Sequence, residues 1–346
     1  MRKGLNVIDL FSGIGGFSLG LQRAGFELDR HYYSEIEKNA IANYKFNFKN
    51  AKHIGSVEDV QGGDFGRGEI DVITFGSPCQ DFSLSGKRAG LDGERSGLIR
   101  QAIRLVREVR PSVFIWENVK GVFSSNDGAD FAAILQEFAN IGGYRLEWQL
   151  LNTRWFLPQN RERIYLVGHL AGRSRAGVFP IGENDGDIIR TERRTSGEVC
   201  TALRANGTIG RDGTYIQQLN GSKESGGKQP YQQNRVYDVE GSSPALSCHK
   251  ADLIICQRQR GNNKGGLFSE CPTISANSFQ ENNFLGNIRR LTEVECERLQ
   301  GFPEDWTRWG MFDGEKREIS RTQRYKMIGN SVTVDVVAAV AKRLRF

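Results

Sequence analysis

The sequence predicts an α/β chain: a Rossmann-like, mostly parallel sheet with helices on both faces, plus a smaller, irregular β-rich domain. Three observations predict it. Short apolar runs alternate with amphipathic stretches over residues 1–170, the pattern of strands joined by crossover helices. The first run, "LNVIDLF", ends in a glycine-rich turn that opens a helical stretch. From Ala171 to Ile288 the alternation stops, tryptophan vanishes, and glycine, asparagine, serine and glutamine rise.

Each element has its own reason. "LNVIDLFSGIGGFSLGLQRAGF" reads as strand, turn, helix. Gly13, Gly15 and Gly16 let the backbone turn sharply and approach a ligand closely, and a helix starting near Phe17 presents free amides at its N-terminus. The turn departs from the dinucleotide pattern G-x-G-x-x-G. It reads Phe11-x-Gly13-x-Gly15-Gly16, and an aromatic beside such a turn can stack on an adenine. "RHYYSEIEKNA" is a second strand ending in Glu35, an acid about 20 residues on, where a ribose-hydroxyl binder belongs in a doubly wound sheet. "DVITFGSPC", "SVFIWENV" and "RIYLVGHL" are further strands. Between them "GLIRQAIRLVREV" sets Leu98, Ile99, Ile103, Leu105 and Val106 along one helical face, and "DFAAILQEFANIG" is a helix that ends on glycine.

Composition sets bounds. A chain of 346 residues holds one large α/β domain and a smaller one. A net charge of +6 is compatible with a polyanionic partner but does not identify one. "MRKGLNVIDLF" runs into a strand rather than a signal peptide, and no apolar run is long enough to span a membrane. The six cysteines, Cys79, Cys200, Cys248, Cys256, Cys271 and Cys296, show no Cys-x-x-Cys spacing. A zinc site or disulfide framework is therefore not expected, and a reducing cytoplasm is.

Cys79 raises a sharper question. It follows Pro78 at the end of a buried strand, in the glycine-flanked loop "GSPCQDFSLSG". In doubly wound sheets ligands sit at the carboxyl ends of strands, and both Cys79 and Glu117 fall there. The plain reading of Cys79 is a small buried apolar residue; its position favours a nucleophile. Glu117, inside the apolar strand "SVFIWENV", is costly there unless it has a partner or a task.

These residues resemble the C5-cytosine DNA methyltransferases of bacteria and phages, which use S-adenosyl-L-methionine. The resemblance runs along nearly the whole chain through "DLFSGIGGFSLGL", "PCQDFS", "ENV", "QNRERIYLVG", "RRLTEVECERLQGFP" and "RYKMIGNSV", in that order. It implies that Phe11 stacks on the adenine, that Glu35 takes the ribose hydroxyls, and that Ile36 and Val57 flank the ring. Gly13, Gly15, Gly16, Pro78, Asn330 and Ser331 complete the expected cofactor site. One position departs: the usual Gly-Asp-Ile reads Gly55-Ser56-Val57, which leaves Ser56, or Asp59, to hold the adenine amino group.

The implied chemistry suits the residue types. The Cys79 thiolate adds to carbon 6 of cytosine, which makes carbon 5 nucleophilic toward a methyl sulfonium. Glu117 holds a proton at ring N3, and Arg161 and Arg163 hold the base oxygen and a nearby phosphate. The plainer reading of the two arginines is a surface ion pair with Glu162. Because the base must leave the stack, duplex DNA is the expected partner. In the loop "SLSGKRAGLDGERSG", Ser83 and Ser85 would fill the vacated space and Lys87, Arg88 and Arg95 would meet phosphates, with Gln80 beside the nucleophile as a further DNA contact.

The implied division is a catalytic, cofactor-binding domain over 1–170 and 318–346 and a target-recognition domain over 171–317. Strand-like pieces in the latter are "GTYIQQL", "RVYDV" and "DLIICQRQ". From Ala171 to Ile288 there are 14 Lys+Arg against 12 Asp+Glu, so base-edge contacts are expected to outweigh phosphate attraction. Three similar heptads, "CTALRAN", "SPALSCH" and "CPTISAN", would anchor on Leu203, Leu246 and Ile274. If extended, they set Arg204 with Asn206, Ser247 with His249, and Ser275 with Asn277 on the other face. Arg204, Asn206, Ser275 and Asn277 are the candidate readers of DNA; repeated structural turns are the bland alternative. Beyond this, "RRLTEVECERLQGFP" returns to helix with Leu291, Val294 and Leu299 as its apolar face, and "GNSVTVDVVAAVAKRLRF" is a terminal helix expected to dock beside the glycine turn.

The expectation is a monomer without a membrane partner, related functionally, at most, to a restriction endonuclease acting on the same site without a stable complex. The competing readings are a tRNA cytosine-5 methyltransferase, which usually carries a Cys-Phe-Thr signature not found here, and a DNA-binding protein with a dead site. Amino-group methylation is disfavoured, because "GSPCQ" is not an aromatic Pro-Pro motif.

Overall fold

The computed structural model describes residues 4–77, 96–182, 255–257, 266–268, 271–272, 283–285 and 289–346. Strands β1 (Gly4–Leu10), β2 (Glu27–Ser34), β3 (Lys52–His53), β4 (Val72–Gly76), β5 (Val113–Val119), β6 (Tyr144–Asn152) and β8 (Glu162–Leu170) form one sheet, while β7 (Gln159–Asn160) lies outside it. The order is β3-β2-β1-β4-β5-β8-β6. The strands from β3 to β5 are parallel, and β8 runs antiparallel between β5 and β6.

Burial on both faces explains the near-continuous apolar runs. Ile8, Leu10, Ile73, Phe75, Phe114 and Trp116 face one cluster, and Leu5, Val7, Val72, Val113 and Ile115 face the other. Among the helices, α1 (Gly16–Arg23) and α2 (Lys38–Asn47) flank β2 in the chain, α3 (Ser96–Val109) joins β4 to β5, and α4 (Ala129–Ala139) joins β5 to β6. Ile99, Ile103, Leu105 and Val106 of α3 are buried as their spacing predicts, with Phe131, Ile134 and Phe138 of α4 in the same cluster.

Three further helices close the chain: α5 (Glu293–Leu299), α6 (Arg321–Asn330) and α7 (Val334–Lys342). The terminal helix α7 does dock on α1: Val336, Val337 and Val340 share a cluster with Phe17 and Leu21, and Arg23 Nη1 pairs with Asp335 Oδ1 at 2.5 Å. Helix α5 opens with a capping box, Thr292 with Glu295. Its apolar face differs from the expected one. Leu291 and Leu299 are buried, but Val294 is only half-buried and Cys296 takes the inward place. These residues pack with Ile14, Ala40 and Val334, so residues 291–302 sit on the glycine turn and α2, although the sequence groups them with the second domain.

Within the stretch expected to form the second domain, β9 (Ile255–Gln257), β10 (Gly266–Phe268), β12 (Asn283–Leu285) and β13 (Arg289–Arg290) make an antiparallel sheet in the order β10-β9-β12-β13. The segment β11 (Cys271–Pro272) pairs in parallel with β7, just before Arg161. "DLIICQRQ" contains β9, as expected; "GTYIQQL" and "RVYDV" lie outside the described residues. Features that went unread in the sequence include α2, β3, α6, the edge strand β6, and a hairpin of β14 (Trp309–Phe312) and β15 (Glu315–Glu318).

Candidate active site

The chain leaves β1 toward β2 on one side and returns to β4 on the other, so the sheet's switch point lies between β1 and β4. The crevice at their carboxyl ends is where such sheets bind ligands. Phe11 to Gly15 form its floor. Gly15 caps α1, and Gly16 opens that helix. A Cβ on Gly16 would stand 2.7 Å from Val332 Cγ2 and 2.8 Å from Ser331 Oγ, so glycine here admits the segment after α6.

Glu35 follows β2 by one residue, and its carboxylate organises the crevice. Oε2 accepts from the Gly13 amide at 2.9 Å, and Oε1 accepts from the amides of Ile36 and Glu37 at 2.8 and 2.9 Å. Gly13, at φ +53°, has open space where a Cβ would stand. Beside Glu35, Ile36 is 77 % exposed, an unusual position for a large apolar side chain next to a buried sheet. Phe11 is half-buried against the first apolar cluster and Val57 is buried within it. An acid fixed at the strand end, an open glycine turn and an exposed apolar side chain fit an adenosine-bearing cofactor. Ser56 is half-buried, and its hydroxyl accepts only a long bond, 3.4 Å, from the Glu58 amide; Asp59 is exposed. Asn330 is exposed and Ser331 buried.

The reactive side is built by register. Gly76 of β4 pairs with Glu117 of β5, and Val119 pairs with Arg163 of β8, which sets Glu117 and Arg163 one step apart on the same face. Arg163 Nε lies 3.2 Å from Glu117 Oε1. Glu117 is 8 % exposed, and burial pushes its carboxyl above the ordinary carboxylate range, while Arg163 and then Arg161 pull it back. The result is a carboxyl that holds a proton unusually well and has a guanidinium at hand when it gives the proton up. Arg161 is 4 % exposed, and its Nη2 donates to the Ser331 carbonyl at 2.8 Å. Glu162 pairs instead with Lys120 at 2.8 Å, so the surface-pair reading of the arginines does not describe the molecule.

Two groups near the site were not singled out in the sequence. Ser77 Oγ accepts from Trp116 Nε1 at 3.1 Å and from Asn118 Nδ2 at 3.0 Å, pinning the start of the cysteine loop to β5. The signal was a hydroxyl between a buried strand and Pro78, opposite an asparagine within "WENV". Beneath the glycine turn, Asp9, Ser18, His31, Tyr44 and Thr74 form a buried polar cluster. Pro78, Cys79, Gln80, Ser83, Ser85, Lys87, Arg88, Arg95, Arg204, Asn206, Ser275 and Asn277 lie outside the described residues, as do Leu203, Leu246, Ser247, His249 and Ile274. Among the described residues no helix is long and apolar enough to cross a membrane.

Fold and site together define a class: a doubly wound α/β protein with a glycine-turn crevice at its switch point and a buried, arginine-flanked acid beside it. The chain belongs to the C-5 cytosine-specific DNA methylase family, whose model matches residues 5–345. It is 29 % identical to the type II methyltransferase M.Bsp6I of Bacillus sp. (strain RFL6) over 98 % of both chains. It is 30 % identical to the type II methyltransferase M.BsuFI of Bacillus subtilis, over 99 % of this chain and 72 % of that one. Its fold matches that of the S. pombe Dnmt2 methyltransferase with a TM-score of 0.58 at 20 % identity, over 98 % of this chain and 97 % of that one. The protein is thus a methyltransferase, and its reaction requires a methyl donor.

Proposed function

We propose that the chain transfers the methyl group of S-adenosyl-L-methionine to carbon 5 of a flipped-out cytosine within a specific duplex DNA sequence, as a restriction-modification or phage/host modification enzyme. The observation that carries this reading is the buried Glu117–Arg163 pair at the switch-point crevice. A carboxyl whose proton is held by burial can meet the N3 lone pair of a neutral base, which an ordinary ionised glutamate cannot.

The cofactor supplies an electrophilic methyl group. Phe11, Glu35, Ile36 and Val57 would hold its adenosine, with Ser56 at the amino group and Gly13, Gly15, Gly16, Pro78, Asn330 and Ser331 around it. Cys79 would add its thiolate to carbon 6, and the electron pair displaced to carbon 5 would take the methyl group as its bond to the donor sulfur breaks, leaving S-adenosylhomocysteine. Glu117 shares its proton with N3 as charge builds on the ring. Arg163 steadies the carboxylate that this leaves and, with Arg161, holds the base oxygen and a phosphate. A base, for which a water would serve, would then take the carbon-5 proton; Cys79 would leave as the thiolate, and the N3 proton would return to Glu117.

The loop carrying Gln80, Ser83, Ser85, Lys87, Arg88 and Arg95 would close over the DNA. Target choice would fall to the second domain. Because Leu291, Cys296 and Leu299 pack with Ile14, that domain is proposed to end before residue 291 rather than at 317. Transfer of labelled methyl from S-adenosyl-L-methionine to duplex DNA tests the reading. Label in tRNA instead of DNA would overturn the substrate.

A further inference from the structure

The glycine turn is held from a side that neither its motif nor the reaction explains. The α1 ladder opens with the Leu19 amide donating to the Gly15 carbonyl. The Ile14 carbonyl comes one residue earlier, where the helix offers it no donor. It is met by Trp306, whose indole Nε1 donates to it at 2.9 Å across a separation of 292 residues. Trp306 is itself fixed from several directions. Its ring lies edge-on to Phe48, with centroids 5.6 Å apart, and beside Phe302 at 5.7 Å. Its carbonyl accepts from Asn43 Nδ2 at 2.8 Å and from Asn47 Nδ2 at 3.1 Å, both on α2. On the turn's other flank Glu35 takes the Gly13 amide. The two tethers grip the peptides on either side of the Gly13–Ile14 link, Glu35 from the early part of the chain and Trp306 from the late part.

We infer that Trp306 is a positioning residue for the cofactor: its indole N–H sets the Gly13–Gly15 backbone in the geometry that receives the adenosine end. The inference rests on the S-adenosyl-L-methionine reading above. It assigns a binding function to the stretch "GFPEDW", which follows α5. The bond joins a half-buried ring to a backbone carbonyl, so its loss should act on the turn rather than on the core.

Titration of the full-length protein with S-adenosylhomocysteine tests it, with thermal melting alongside. Two variants are compared with wild type: Trp306→Phe, and replacement of Trp306 by benzothienylalanine, which keeps the ring shape and removes only the N–H. Binding by both variants should weaken about five- to twentyfold, the scale of one lost hydrogen bond in a partly buried site, with DNA affinity unchanged. The melting temperature of the benzothienyl protein should stay within about 2 °C of wild type. At saturating cofactor kcat should be retained, so the loss appears in KM for the cofactor. The inference is overturned if the benzothienyl protein binds as wild type does, or if cofactor and DNA affinity fall together with melting temperature. Wild-type protein that fails to bind S-adenosylhomocysteine would instead sink the cofactor reading itself.

Discussion

Arg163 Nε sits 3.2 Å from Glu117 Oε1, yet Glu117 is held above the ordinary carboxylate range, because burial outweighs the guanidinium. A pair arranged only for stability would be expected to favour the ionised acid; here burial shifts the balance toward the protonated form. Glu117→Gln keeps the shape and removes that proton. Methyl transfer should fall by roughly two to four orders of magnitude, the usual scale of general-acid catalysis, with DNA and cofactor binding little changed. Single-turnover rates are the measurement. A variant within threefold of wild type would reduce Glu117 to a structural strand residue.

Cys79→Ser should abolish transfer while cofactor binding persists, since an alcohol is a far weaker nucleophile than a thiolate at neutral pH. Duplex DNA containing 5-fluorocytosine should trap the wild-type protein in a denaturant-resistant adduct, because fluorine cannot leave as a proton does. An active enzyme that gives no such adduct would rule out the thiolate route.

Ser77→Ala leaves the buried Trp116 and Asn118 donors without their shared acceptor. Stability should drop by about 1–3 kcal/mol, the cost of stranding buried polar groups. Because Ser77 lies two residues before Cys79 in the chain, kcat should fall more than cofactor affinity does. Urea denaturation and steady-state kinetics separate the effects, and equal losses in kcat and affinity would count against a role in setting the loop.

Much of this site is legible from residue type and chain order. Period and glycine placement lead to β1, α1 and α3, and an acid inside "FIWENV" points to Glu117 before any coordinate does. The missed features share a physical cause. Strand β6 lies at the sheet edge with most of its side chains half-exposed, so Arg145, Glu147 and Gln149 mask the alternation with Leu146, Trp148 and Leu150. Helix α5 buries Glu293, Glu295 and Glu297, which inverts the usual sign of a hydrophobic stripe and displaces Val294. Glu297 is compensated by Arg324 at 3.1 Å, and Glu293 pairs with Arg321, partners about thirty residues away that no local pattern reveals. The Trp306–Ile14 bond is of the same kind, set by tertiary contact alone.

Arg204→Ala addresses target choice. Arginine reads guanine by two parallel hydrogen bonds in the major groove, so its loss should relax preference at one position of the site, by about 1–3 kcal/mol in discrimination. Methylation profiles over randomised duplexes are the check. An unchanged preference with uniformly weaker binding would make Arg204 a phosphate contact.

The cluster beneath the glycine turn carries a pH dependence with two opposing parts. Asp9 is fully buried and is met by Thr74 at 2.9 Å, Ser18 at 3.0 Å and Tyr44 at 3.1 Å. His31 joins through Ser18 at 3.0 Å and Tyr44 at 2.7 Å. Burial pushes the Asp9 carboxyl up from 3.8 to about 7 against the pull of those hydroxyls, and the nearby Glu35 charge adds to the rise. Burial pushes His31 down from 6.5 to about 4. The folded state therefore holds the Asp9 proton more tightly than the unfolded chain does. Its contribution to stability is complete below pH 3.8 and is lost as pH rises to about 7. His31 runs the other way: its contribution is complete above pH 6.5 and is lost as pH falls to about 4. Across the shared window, from about 4 to 6.5, the two slopes oppose one another. Removing one partner exposes the other. In Asp9→Asn the unfolding free energy should rise with pH over that window, and in His31→Gln it should fall, each relative to wild type and by at most roughly 1.4 kcal/mol per pH unit for a single proton. Urea denaturation at three pH values inside the window measures both slopes. Variants that both track the wild-type profile would show that neither group changes its proton affinity on folding.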